Sequence, residues 1–88
     1  MARYYFHLRL GASLEPDRIG LILADAYHAY LEACAAIPGV GQDLLAAGRD
    51  LAQCAFEVMD EKERLLFEVP FSELSAAMPQ QMRHKIVR

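Results

Sequence analysis

Apolar and polar positions alternate near both ends of the chain and recur at helical spacing between them. Tyr4, Phe6 and Leu8 alternate with Tyr5, His7 and Arg9, the period-two signature of a strand with one face in a core. The first set is expected to face the core and the second to face outward. Phe56 and Val58 alternate with Glu57 and Met59, and Leu65, Phe67 and Val69 alternate with Leu66 and Glu68. The polar run Asp60-Glu61-Lys62-Glu63-Arg64 between them has the length of a hairpin connection. Pro70 cannot donate to a ladder, so the last strand is expected to stop there or to lie at an edge.

Between the ends, Gly11-Ala12-Ser13 reads as a turn and Glu15-Pro16-Asp17 as a loop. Arg18 to Leu23 predicts a short second strand with Ile19, Leu21 and Leu23 on one face and Gly20 as a weak point or bulge. Asp25 stands where a helix cap belongs. Tyr27, Tyr30, Leu31, Cys34 and Ile37 then form an apolar stripe, expected to be the buried face, while His28 and Glu32 point away. Pro38-Gly39-Val40-Gly41 interrupts the pattern, because one Pro and two Gly inside a helix cost about 5 kcal/mol together. An unbroken helix over 26–47 would run about 33 Å, against about 20 Å for a six-residue strand. The prediction is a helix ending near Ile37, a kink, and a second piece from Gln42 to Ala47 closed by Gly48. Ser72 is placed to cap a short helix through Met78.

These elements predict an α+β fold. A small antiparallel sheet of three to four strands packs on one kinked or broken helix, with a short C-terminal helix or tail. A chain of 88 residues supports one domain, assigned to residues 1–78, with 79–88 as a basic tail. Residues 1–78 carry six Lys/Arg and twelve Asp/Glu, whereas 79–88 add Arg83, Lys85 and Arg88 and no acid, for a net charge of −3. An acidic body with three tail cations disfavours nucleic acid as a partner, since three phosphate contacts alone are salt-labile. No run approaches the roughly 18 apolar residues of a membrane span, and His7 and Arg9 interrupt any export-signal pattern. A cytoplasmic location follows as the expectation, with Cys34 and Cys54 as buried reduced thiols.

The residues Arg3-Tyr4-Tyr5-Phe6-His7-Leu8-Arg9, Pro16-Asp17-x-x-Gly20, Leu23-x-Asp25, Gly48-Arg49, Phe56-Glu57-Val58-x-Asp60-Glu61 and Val69-Pro70-Phe71-Ser72 resemble a family of short bacterial proteins catalogued as a domain of unknown function. The resemblance covers roughly residues 2–74. It implies a compact cytoplasmic α+β protein and imports no activity. Two departures stand out: the family's uninterrupted helix is broken here by Pro38-Gly39-Val40-Gly41, and Glu63 replaces a usual hairpin glycine. The second departure predicts a different turn, because a non-glycine residue held left-handed costs about 1 kcal/mol or more.

The pattern offers no reactive constellation. His7, His28 and His84 lie on different elements, so neither a metal site nor any cofactor is expected. Ser13, Ser72 and Ser75 sit in turn or cap contexts, threonine is absent, and neither cysteine has a neighbouring cation, so no catalytic residue is assigned. His7 and Arg9 are candidate anion or ligand contacts on the outward row of the first strand, unless Arg9 pairs with Glu57 or Glu68 across strands. A sheet covered on one side leaves Tyr5, Met59 and Leu66, with His7 and Ala55, on an open face. Tyr5, Met59 and Leu66 are the candidate interaction face. The function remains unknown at this level. The reading is a non-enzymatic interaction or regulatory module with another protein or a second copy as partner, self-associating as a dimer through the open face or an edge strand. The alternative is a small-ligand or anion sensor using His7 and Arg9.

Overall fold

The structure, a computed structural model, describes residues 1–72. The expected helix from Ser72 to Met78 and the basic tail 79–88 therefore fall almost entirely outside the described residues. Strand β1 is Ala2–Leu10, β2 Ser13–Glu15, β3 Leu21–Leu23, helix α1 Ala26–Ala46, β4 Cys54–Met59 and β5 Leu65–Pro70, with a single 3-10 turn at Leu51–Gln53. All strand pairs are antiparallel, in the order β2-β1-β4-β5, and β3 also pairs with β1. The fold is α+β, a sheet of small strands packed with one helix.

Strands β2 and β3 lie along β1 one after the other. Glu15 sits opposite Leu8 and Leu21 opposite Tyr4. Five residues, 16–20, thus span the three β1 positions Tyr5, Phe6 and His7. The expected strand over 18–23 is correspondingly shorter. Its first half is this bulge, where Ile19 is exposed and Gly20 takes φ +72°. Gly11-Ala12 forms the tight turn into β2, a strand that the turn reading of Ser13 had missed.

Helix α1 begins at Asp25, whose carboxylate accepts from the His28 amide at 3.0 Å. It ends as expected on Gly48, at φ +83°, where the Gly48 and Arg49 amides return to the Leu45 and Leu44 carbonyls. No loop separates two helices: α1 is a single 21-residue element with Pro38 inside it. The length argument failed because β1 has nine residues rather than six, about 30 Å, which matches the roughly 31 Å of α1. Pro38 faces solvent, where water can satisfy the Cys34 carbonyl that the ring leaves free. Ile37 and Gly41, one turn apart, face inward on either side of it.

The buried face of α1 is not the bulky stripe. Ala29, Ala33, Ile37 and Gly41 are buried, whereas Tyr27, Tyr30 and Leu31 are exposed and Cys34 is half-buried. Small residues on the helix let it settle close to the sheet, and the volume comes from Tyr4, Phe56, Val58, Val69 and Phe71 beneath it. Phe71 lies 5.0 Å, ring to ring, from Phe56 and under Gly41. Burying Leu31 as well would need the helix to rotate away from this small-residue face. On β1, Tyr4, Phe6, Leu8 and Leu10 face the core as expected.

Strand β5 departs from strict alternation. Val58 pairs with Phe67 but Met59 pairs with Leu65, so Leu66 is an extra residue at a bulge. Leu65, expected in the core, is exposed and stands opposite Met59. The hairpin keeps a left-handed residue after all, with Glu63 at φ +62°. The turn is held by Asp60, whose carboxylate accepts from the Lys62 and Arg64 amides and from the Arg64 side chain at 2.8–2.9 Å. Those contacts offset the strain that predicted a different turn.

Candidate functional site

The outward row of β1 is Arg3, Tyr5, His7 and Arg9, and its register fixes the neighbours. Tyr5 is opposite Met59 and then Leu65, His7 opposite Glu57 and then Glu68, and Arg9 opposite Ala55 on one side and Leu14 on the other. Helix α1 packs on the other face; on this one the 16–20 segment reaches His7 through the Asp17 amide, and Ala55, expected on the open face, is buried. Of the candidate interaction residues, Tyr5 and Met59 are adjacent and half-buried, while Leu66 lies at the exposed bulge of β5.

The two candidate ligand contacts are both engaged within the chain. Arg9 donates from Nε to Glu57, and the pairing raises the guanidinium pKa through this hydrogen bond and the charges of Glu57 and Glu68. Without Arg9, Glu57 and Glu68 would face each other as like charges across the ladder. The alternative weighed for Arg9 in the sequence is the one the structure adopts. His7 accepts at Nδ1 from the Asp17 amide at 3.0 Å. Its neutral ring therefore carries the proton on Nε2, the one donor left to present outward.

Asp17 is the residue that the sequence reading left as loop. Its Oδ1 accepts from the Ile19 and Gly20 amides, both at 3.0 Å, and its Oδ2 from the Phe6 amide at 3.1 Å. Phe6 lies where β1 has neither β2 nor β3 beside it, so Asp17 supplies the missing acceptor along that edge. Burial pushes this carboxyl up, yet the amides of Gly20, Ile19 and Phe6 together outweigh it and hold the pKa below its ordinary 3.8. Gly20 completes the motif, since a Cβ there would stand 2.7 Å from the Tyr4 carbonyl oxygen. Arg3 secures the same bulge by donating to the Ile19 carbonyl at 2.8 Å. An Asp followed three residues later by Gly, after Pro16, is a turn signature that could have flagged this hub.

A shallow groove of about 370 Å³ opens between the bulge and the hairpin turn, lined by Tyr5, His7, Arg18, Met59, Glu61 and Glu63 among others. Sequence reasoning placed Tyr5, His7 and Met59 on this face but missed Arg18 and Glu63, which only the fold brings beside them. No group of three or more His, Cys, Asp or Glu among the described residues is arranged to hold a metal ion. Cys54 is buried, donates to the Asp50 carbonyl at 3.4 Å and has its pKa raised, chiefly by burial. Both cysteines are free. No helix among the described residues is long and apolar enough to cross a membrane.

A second apolar surface runs along β5. Tyr30 meets Phe67 edge-on at 5.9 Å, which locates the exposed stripe of α1 on the β5 side of the helix. Tyr27 is 63% exposed, Tyr30 44%, Leu31 43%, Leu65 55% and Leu66 39%, so helix and strand together present apolar surface at this edge.

No curated protein and no solved structure matches the chain. Residues 3–72, which take in every element described above except the first residue of β1, match one family, and the chain belongs to it: the domain of unknown function DUF6894.

Proposed function

We propose that this domain is a non-enzymatic interaction module that pairs with a second copy of itself through the β5 edge. The observation that carries this reading is the apolar surface on both layers there: Leu65 and Leu66 on the strand, Tyr27 and Leu31 on the helix. An unpaired strand edge is normally blunted by lysine, early proline or covering structure. β5 carries Glu68, a terminal Pro70 and the bulge at Leu66, no lysine, and no described residue pairs beyond it.

Antiparallel pairing of two β5 strands about Phe67 sets Leu66 opposite the partner's Glu68. That register keeps the two Glu68 carboxylates apart and extends the sheet from one copy into the next. The same two-fold axis brings the exposed helix stripes together on one side of the joined sheet, so each layer continues into its counterpart. These four side chains offer on the order of 400 Å² per copy, toward the roughly 800 Å² per side of a specific interface once strand backbone is counted. Stacking through the open face is less favourable, because it would press Glu57, Glu68 and the acidic hairpin turn of two net-negative chains together.

Light scattering on a sizing column across a concentration range tests the proposal. A species near twice 9.9 kDa is expected, and Leu66→Asp and Leu31→Asp should each return it to a monomer with unchanged circular dichroism. A monomer persisting to millimolar concentration, or a dimer indifferent to both substitutions, refutes edge pairing. A dimer abolished by Tyr5→Asp but not by Leu66→Asp would place the contact on the open face instead.

A further inference from the structure

We propose that the groove between the 16–20 bulge and the 60–64 turn binds a small zwitterion, with free α-amino acids as the simplest members of the class. Its volume of about 370 Å³ lies within the range of small-molecule sites. Tyr5 and Met59, register partners, give it an aromatic and a thioether surface, suited to an aliphatic side chain and to the approach of an ammonium group.

The charged lining has two signs and two origins. The bulge contributes Arg18, and beside it His7 has one donor free, Nε2–H, because the Asp17 amide occupies Nδ1. These are donors for a carboxylate. The hairpin turn contributes Glu61 and Glu63, acceptors for an ammonium group. The other two carboxylates of the lining are already engaged: Asp17 by three amides and Asp60 by Arg64 and two amides. No side-chain hydrogen bond or ion pair engages Arg18, Glu61 or Glu63 among the described residues. A purely anionic ligand would meet the two glutamates, and a purely cationic one would meet Arg18. A zwitterion answers both.

Glu63 stands at φ +62°, in a turn that Asp60 holds through the Lys62 and Arg64 amides. Arg9 has no part in this site, since Glu57 engages it. The inference is independent of pairing through the β5 edge.

Amide NMR spectra of the full chain, titrated with L-leucine, test it. N-acetyl-L-leucine and L-leucinamide serve as probes lacking the ammonium and the carboxylate charge respectively. L-leucine should bind saturably in the millimolar range, moving the amides of Tyr5, His7, Arg18, Met59 and Glu63, and each blocked probe should bind at least about tenfold more weakly. Arg18→Gln and Glu63→Gly should each weaken L-leucine at least about fivefold, while Glu63→Gly, relieved of backbone strain, melts no lower than the parent. Absence of shifts, equal binding of all three probes, or full affinity in both variants overturns the proposal.

Discussion

Replacing Asp17 with Asn keeps the side chain's shape and removes one acceptor, which isolates the role of the bulge. In the parent, two carboxylate oxygens serve three amides: Oδ1 takes Ile19 and Gly20, and Oδ2 takes Phe6. An Asn amide has one oxygen. Leaving it with Ile19 and Gly20 turns an NH2 group toward the Phe6 amide, so that a donor faces a donor. Flipping it would orphan two amides instead. Leaving a partly buried amide unsatisfied costs about 1–3 kcal/mol, and partial solvent access at Asp17 argues for the middle of that range. We expect a loss of about 2 kcal/mol at pH 7, or roughly 8–16 °C in Tm for a domain this small.

The pH dependence gives the prediction a second, independent arm. Asp17 has its folded pKa lowered below 3.8, because the three amide donations outweigh the burial that raises it. A lowered carboxylate pKa contributes stability that is fully present above the unfolded value. That contribution is lost as pH falls through the folded value. Asn does not titrate there. The gap between parent and variant should therefore be constant from pH 7 down to about pH 5 and close progressively below the ordinary carboxylate range. Urea unfolding followed by circular dichroism at a series of pH values measures both arms. A gap under about 0.5 kcal/mol at pH 7, or one that stays constant into strong acid, would refute the assignment of Asp17 as the bridge between β2 and β3.

Three further outcomes follow from the same geometry. Gly20→Ala adds left-handed strain and a Cβ 2.7 Å from the Tyr4 carbonyl oxygen, so unfolding experiments should show a loss of about 3 kcal/mol or more. Gly41→Ala should instead stabilise by about 1 kcal/mol in the same assay, since its Cβ would meet the Phe71 ring at an ordinary 3.6 Å and alanine favours the helix. Arg9→Ala should lower Tm at low salt and do so less at high salt, because it leaves Glu57 facing Glu68 on a solvent-accessible sheet face.

Glu63 and Gly41 show how local rules and tertiary context divided the turn and the helix. A hairpin was legible from the alternation on either side of Asp60–Arg64, yet the left-handed Glu63 was not, because Asp60 and Arg64 hold the turn through contacts that spacing does not reveal. A helix from Asp25 to Gly48 was legible at both caps, which are local hydrogen-bonding events. Its continuity through Pro38-Gly39-Val40-Gly41 was not. That depends on the length of β1, and β1 acquires its length by pairing with two separate segments, β2 and β3.

The candidate sites divide the same way. Alternation placed Tyr5, His7, Arg9 and Met59 on one outward face, since strand geometry sends neighbouring side chains to opposite sides wherever the strand is regular. The bulge at Leu66 broke that rule on β5 and exposed Leu65, and no spacing signal marks it. Helical spacing found the stripe Tyr27, Tyr30, Leu31, Cys34 and Ile37, of which Ile37 is buried and Cys34 packs against the core while the other three are exposed. Periodicity measures how residues recur around a helix, not which sector faces the sheet. Local pattern suffices for the α+β class, the helix caps, the outward row of β1 and the hairpin. Packing and long-range pairing make Ala29, Ala33 and Gly41 part of the buried face, set Asp17 across an interrupted edge, and bring Arg18 and Glu63 to one groove. Those features depend on distances between segments far apart in the chain, where close packing and shared hydrogen bonds outweigh local preference.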